Sequence, residues 1–140
     1  MEKLPEFIVN HLFLVCLFIS ISILLLWNFF GTSIMGLKMV GSAELTRLIN
    51  RDDALLIDLR KKDDFTNGHI INAKNIPSAE FEKEMNSLSS KKDQPIVLYC
   101  SHGSETVRFA RILIQQGFQK VYGLKGGLVT WSQANLPLTK

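Results

Sequence analysis

Hydrophobic and polar positions divide this 140-residue chain into two unlike parts. From Phe7 to Leu37 there is no Asp, Glu, Lys or Arg, and Ile8 to Phe30 is mostly Leu, Ile, Val and Phe. At about 1.5 Å of rise per residue this run reaches roughly 34 Å, enough to cross a hydrocarbon core of about 30 Å with some tilt. Residues 8–30 are therefore expected to form one transmembrane helix, with Trp27, Phe29 and Phe30 near one end, where aromatic rings favour the interface. Residues 1–7 are a short tail. Residues 31–41, with glycines at 31, 36 and 41, read as a membrane-proximal linker with a short strand at Met39-Val40.

Beyond Gly41 the pattern becomes that of a folded domain, residues 42–140. Ser42 is placed to cap a first helix with Leu45, Leu48 and Ile49 as its apolar stripe, and Ala54 to Leu59 follows as a strand. Lys61 to Gly68 is a charged connection with Phe65 as its single anchor, and Asn75-Ile76-Pro77 reads as a short edge strand that tolerates the proline. Ser78 is then expected to cap a helix carrying Phe81, Met85 and Leu88, before a polar loop from Ser89 to Gln94. Ile96 to Tyr99 is a short apolar run, suited to a strand covered on both faces. After Thr106 the period changes to that of a helix, with Phe109, Ala110 and Leu113 on one face and Gly117 closing it. A strand from Lys120 to Leu124 and a helix opened by Gly126-Gly127 complete the chain. Strands alternating with helices predict an α/β domain with a mainly parallel central sheet flanked by helices on both faces.

Chemistry concentrates where Tyr99 gives way to Cys100-Ser101-His102-Gly103-Ser104-Glu105-Thr106. A cysteine between a strand and a helix meets amide groups that lack intrahelical partners, together with the positive end of the helix dipole. Such a loop favours anions and can hold a thiolate or persulfide without a dedicated base. Gly103 lets the backbone adopt a positive φ and turn its amides inward. In parallel sheets ligands bind beyond the carboxyl ends of strands, which is where Cys100 falls.

These residues resemble the active-site loop of rhodanese-like sulfurtransferases, in which a cysteine opens a short loop with glycine three residues on and Ser or Thr six on. Leu56-Ile-Asp58-Leu-Arg60, Phe65, Gly68-His69-Ile70, Ala73 and Asn75-Ile76-Pro77 match that family's first signature, and Val121 to Gly127, Trp131 and Leu136-Pro137 match its closing one. The resemblance spans roughly residues 40 to 138 and leaves no place for the N-terminal run in the domain. It implies that Cys100 is the catalytic nucleophile. It also implies that the loop Ser101 to Thr106 binds substrate or persulfide through its backbone amides and the hydroxyls of Ser101, Ser104 and Thr106, and that Asp58 and Arg60 support the loop. A carboxylate ending a buried strand needs a partner, and Arg60 or a loop amide is the expected one. No metal or organic cofactor is implied. His69 reads as a hydrogen-bonded structural residue, since Cys100, His69 and His102 do not make a zinc-ligand spacing.

The implied reaction is sulfur relay between a donor and a thiol or other nucleophilic acceptor, small molecule or protein. Many relatives carry Arg or Lys just before the Ser or Thr that closes the loop, and here that residue is Glu105. An acidic rim repels a dianion such as thiosulfate, and His102 offsets this only when protonated. Weak thiosulfate activity is expected, with a preference for neutral, cationic or protein-borne donors. Two readings from other classes stand beside this one. A cysteine phosphatase of similar fold would need arginine where Thr106 stands, and a catalytically weak or inactive interaction module would keep the fold without turnover.

Charge and composition set the setting. Glu2, Lys3 and Glu6 are not the basic start of a cleaved signal peptide, and Gly31-Thr-Ser33 is a poor cleavage site. Lys38, Arg47 and Arg51 follow the span, so the positive-inside rule orients the C-terminal domain to the cytoplasm. The expectation is a single-pass protein of the bacterial inner (cytoplasmic) membrane, held there by residues 8–30, with a membrane-protein partner open to it. Of the two cysteines Cys16 lies in the span, so no structural disulfide is available to the domain. Cys16 and His11 are assigned no role. A net charge of +3 without basic runs or interleaved aromatics does not point to nucleic acid.

Overall fold

The computed structural model describes residues 3–34 and 37–140, with side chains described except at residues 29–34, and the chain divides into two units, the first ending at Ile34. In the first unit, helix α1 (Lys3–Asn10) and helix α2 (Leu12–Ile34) are separated at His11. The expected single helix over 8–30 is thus replaced by a pair in which Lys3–Asn10 and Leu12–Asn28 are bent by 86°. Asn10 and His11, both poor helix formers, stand side by side at the break. Among the described residues no single helix is long and apolar enough to cross a membrane, although the bent pair reaches that length and composition together. The expected tail is itself helical from Lys3 onward. The hydroxyls of Ser20 and Ser22 donate to the carbonyls of Cys16 and Phe18 at 2.8 Å, which hides polar groups within α2.

The second unit is a five-stranded parallel sheet. Its strands are β1 (Leu37–Val40), β2 (Leu55–Asp58), β3 (Lys74–Asn75), β4 (Ile96–Tyr99) and β5 (Val121–Leu124), in the order β1-β5-β4-β2-β3. Its helices are α3 (Ser42–Arg51), α4 (Lys62–Asn67), α5 (Phe81–Glu84), α6 (Thr106–Gln115) and α7 (Gly127–Gln133). The boundary expected at residue 42 is corrected here, because the segment read as linker supplies β1, which pairs with β5 from Leu37↔Val121 to Val40↔Leu124. Two further local expectations change. The connection after Arg60 contains α4, and the helix expected after Ser78 is a short α5 between two 3-10 turns, Ser78–Glu80 and Met85–Lys91. Ser42 and Ser78 do not cap: Gly41 and Pro77 hold the cap positions, with no side-chain cap bond.

Alternation along β4 sends side chains into two cores. Ile96 and Leu98 face a cluster with Ile57, Phe81, Phe109 and Leu113, under α5 and α6, and Cys100 continues that face. Val97 and Tyr99 face Val40, Leu45, Leu56, Leu128 and Trp131, under α3 and α7. With neighbours on both sides and both faces, all four residues of β4 are buried. The strand that ends at the cysteine is therefore the most constrained in the sheet.

Tyr99 gives a test of this core. Its hydroxyl accepts the Ile70 amide at 3.3 Å, and burial, with the neighbouring Asp58 charge next, pushes its phenol well above the ordinary tyrosine range. The unfolded chain releases that proton from about pH 10 upward while the folded chain keeps it, so stability falls as pH rises above about 10, by up to ~1.4 kcal/mol per unit. In an alkaline absorbance titration, one phenol is expected to ionise only together with unfolding. Tyr99→Phe removes that behaviour and costs about 1 kcal/mol at neutral pH, measured by urea unfolding.

Candidate active site

Cys100 follows β4 immediately, so its Cα is fixed by the sheet and its side chain by strand alternation. Its residue is only 4 % exposed, yet it lines an open cleft of about 280 Å³ with Arg60, Ser101, His102, Ser104 and Glu105. The Gly103 amide donates to Sγ at 3.0 Å, and Thr106 Oγ1 lies 3.5 Å from the same sulfur. Thr106 is the first residue of α6 and is fully buried, so its hydroxyl is held against the thiol by packing. Gly103 has φ +89°, a conformation that glycine adopts without strain and that turns its amide back over the cysteine.

The closing end of the domain holds this loop from the other side. At the start of α7 the amides of Leu128 and Val129 donate to the carbonyls of Cys100 and Ser101 at 2.9 and 3.1 Å. Gly126 and Gly127 have φ +74° and +66°, and a Cβ on Gly127 would lie 2.7 Å from the Ser101 carbonyl oxygen and 2.8 Å from the Gly103 nitrogen. Gly127 thus admits the loop where any side chain would push it away, while a side chain on Gly126 would run into Thr130. The role of Gly127 in shaping the loop was not read from the sequence, although the doubled glycine at the head of a helix was the signal for it.

Asp58 is fully buried at the end of β2 and answers to Arg60 in every way open to it. The Arg60 amide donates to Oδ1 at 2.9 Å, Nε lies 3.1 Å from both carboxylate oxygens, and Nη2 reaches Oδ2 at 2.7 Å. Nη2 also donates to the Gly68 carbonyl at 2.7 Å. Burial acts to lower the pKa of Arg60, but the hydrogen bonds and charge of Asp58 outweigh it and hold the guanidinium above its ordinary value. His69 is structural as expected: its Nδ1 lies 2.8 Å from the Phe65 carbonyl and its ring stacks on Phe65 at 3.7 Å.

The structure therefore brings Cys100, Gly103 and Thr106 into one contact set, and it sets Arg60, Ser101, His102, Ser104 and Glu105 around the mouth. Of the loop amides, Gly103's is the only one among the described residues that donates to Sγ. Among the described residues the hydroxyls of Ser101 and Ser104 make no bond to Sγ. His102, Ser104 and Glu105 are exposed. Lys61, Asp64 and Ser78 also line the cleft and were not anticipated. A sulfur atom so placed meets fixed donors at no reorganisation cost, the arrangement that suits a nucleophile carrying negative charge in a transfer step.

A family model described as "Rhodanese-like domain" matches residues 42–134. The chain is 32% identical over 141 residues to the uncharacterized protein YibN of Escherichia coli strain K12, covering 100% of this chain and 99% of that protein. It is 33% identical over 94 residues to the thiosulfate sulfurtransferase GlpE of Coxiella burnetii strain RSA 331, covering 67% of this chain and 86% of that one. The crystal structure of a rhodanese-related protein from Thermoplasma volcanium superposes with a TM-score of 0.66 at 24% identity, covering 73% of this chain and 97% of that chain, a likeness of fold.

Gly127→Ala tests the clamp on the loop. Left-handed backbone strain of about 1–2 kcal/mol for a non-glycine residue adds to the clash with the loop carbonyls. The variant is expected to unfold at lower urea concentration, and its Cys100 peptide to be alkylated at a changed rate while the Cys16 peptide is unaffected.

Proposed function

The chain belongs to the rhodanese-like domain family, and from that premise we propose that it is a sulfurtransferase carrying sulfane sulfur as a persulfide on Cys100. The observation that carries this reading is the thiol of Cys100 facing a cleft with the Gly103 amide and the Thr106 hydroxyl on its sulfur. The Cys100 thiolate attacks the sulfane sulfur of a donor, the donor's bond to that sulfur breaks, and its electron pair leaves with the remaining group. An acceptor thiolate then takes the outer sulfur and frees Cys100. Loop donors that stay fixed through both steps lower the barrier without rearranging. That relatives such as the Coxiella protein are named thiosulfate sulfurtransferases supports the reaction class. Glu105, exposed beside the cysteine, argues that thiosulfate itself is a poor donor here.

The same exposed carboxylate favours a second reading, a rhodanese-like docking module with little turnover. Incubating the full chain in detergent with thiosulfate, or with a low-molecular-weight persulfide, separates the two. Intact and peptide masses are expected to show one added sulfur on Cys100 with the persulfide, little with thiosulfate, and none on Cys100→Ser. A folded protein with a reduced thiol that gains sulfur from neither donor would be the docking module.

The N-terminal unit is proposed to anchor the domain at the bacterial inner membrane with residues 37–140 in the cytoplasm. Leu14, Phe18, Leu24, Leu25 and Trp27 are all more than half exposed in this unit, an apolar surface suited to lipid. The similarity to YibN includes this segment. The full chain is expected to sediment with membranes and to lose that property when residues 1–34 are removed, with the domain digested by protease only after spheroplasts are lysed. A full chain that stays in the supernatant would overturn the anchor.

A further inference from the structure

The cleft over Cys100 carries charges of both signs, and one of them is a half-buried cation with a free edge. Arg60 uses Nε and Nη2 on Asp58 and on the Gly68 carbonyl, while Nη1 has no partner among the described residues. Its side chain is only 10% exposed, and no buried side-chain nitrogen or oxygen among the described residues lacks a partner, so Nη1 is open to solvent. Arg60 lines both the cleft of Cys100 and a neighbouring cleft of about 530 Å³, to which Ser101 and His102 also belong. Lys61 stands on the same wall. Glu105 and Asp64 line the cleft as well, and neither forms an ion pair among the described residues. Glu105 holds the cap position of α6 without using its carboxylate as a cap, which leaves that group for something else.

Resting on the sulfurtransferase reading above, we infer that the sulfur donor is a zwitterionic organic persulfide of amino-acid size, its carboxylate held by the free edge of Arg60 and its ammonium by Glu105. A guanidinium fixed by a buried carboxylate presents its remaining N–H groups in one direction, so it binds a carboxylate with little loss of side-chain freedom. A dianion gains at Arg60 and Lys61 but is repelled by Glu105 and Asp64, whereas a donor with separated charges satisfies both walls. In the transfer, the thiolate of Cys100 attacks the terminal sulfur of R–S–S–H. The bond between the donor's two sulfurs breaks, its electron pair leaves as R–S⁻, and Cys100 retains the S–S–H group. No electrons are gained or lost overall.

The test measures the rate of sulfur gain at Cys100 by peptide mass in the full chain, with three probes that differ in which charged groups they carry. Cysteine persulfide carries both charges, N-acetylcysteine persulfide lacks the ammonium, and cysteamine persulfide lacks the carboxylate. Cysteine persulfide is expected to load about three- to tenfold faster than either. Glu105→Gln is expected to erase its advantage over the N-acetyl probe while leaving its advantage over cysteamine persulfide. Arg60→Lys, which keeps a cation beside Asp58, is expected to do the reverse, with unfolding by urea reporting whether it still folds. Equal loading by all three probes, or a preference untouched by Glu105→Gln, would overturn the inference and leave the sulfurtransferase reading in place. Loading by none of them would remove that reading itself.

Discussion

Two hydrogen bonds from the start of α7 decide the shape of the site. Leu128 and Val129 donate to the carbonyls of Cys100 and Ser101, and a carbonyl drawn toward α7 leaves the opposite edge of its peptide plane, the N–H side, facing the other way. The loop therefore gives its Cys100 and Ser101 acceptors to α7, while the amide on the sulfur comes from the next peptide, at Gly103. That exchange requires the two backbones to touch, which only glycine at 127 permits. A single local feature of the closing segment thus fixes the backbone path beside a cysteine 27 positions earlier.

Asp58 plays the matching part at the other wall. A carboxylate taken wholly out of water at the end of a buried strand is costly, and removing one partner of such a pair costs about 3–5 kcal/mol. Arg60 answers it through its backbone amide and its side chain together. Asn75 ties the same corner by donating from Nδ2 to the carbonyls of Asp58 and Arg60 at 3.1 and 2.9 Å. The result is a guanidinium that cannot swing away, and a rigid cation at the cleft is a different instrument from a mobile lysine on its rim. Structural support and recognition need not be separate roles for one side chain.

How much of this was legible in the sequence follows from which forces are local. The β4 strand, the Cys100 turn and the α6 helix were readable because apolar alternation, a glycine and a change of period are all written in neighbouring residues. The pairing of Asp58 with Arg60 was readable for the same reason, being two positions apart. The strand Leu37–Val40 was half seen, since four residues beside a long apolar run look like linker until β5 is there to pair with them. The break at His11 and the helix α4 were missed. The first depends on a single pair of weak helix formers inside a strongly apolar run, and the second is a six-residue helix with no apolar stripe. The walls of the cleft at Lys61, Asp64 and Ser78 belong to segments brought together only by the sheet.

The last position of the loop limits what chemistry it can accept. Thr106 places its hydroxyl 3.5 Å from Sγ and its methyl over Gly123, where an added Cβ would lie 2.7 Å from Thr106 Cγ2. The glycine in β5 and the threonine in α6 are thus sized to one another. Gly123 also receives Met39 from β1, whose Sδ would lie 2.7 Å from the same Cβ, so the edge strand presses on the floor beneath the loop. An arginine in place of Thr106 would have to leave this packed floor and rise over the cleft to clamp a phosphoryl group. Thr106 instead stays down and completes a contact set around one sulfur atom. Under the proposed sulfur transfer, discrimination between donors would then fall to groups lining the cleft beyond that set, Arg60 and Glu105.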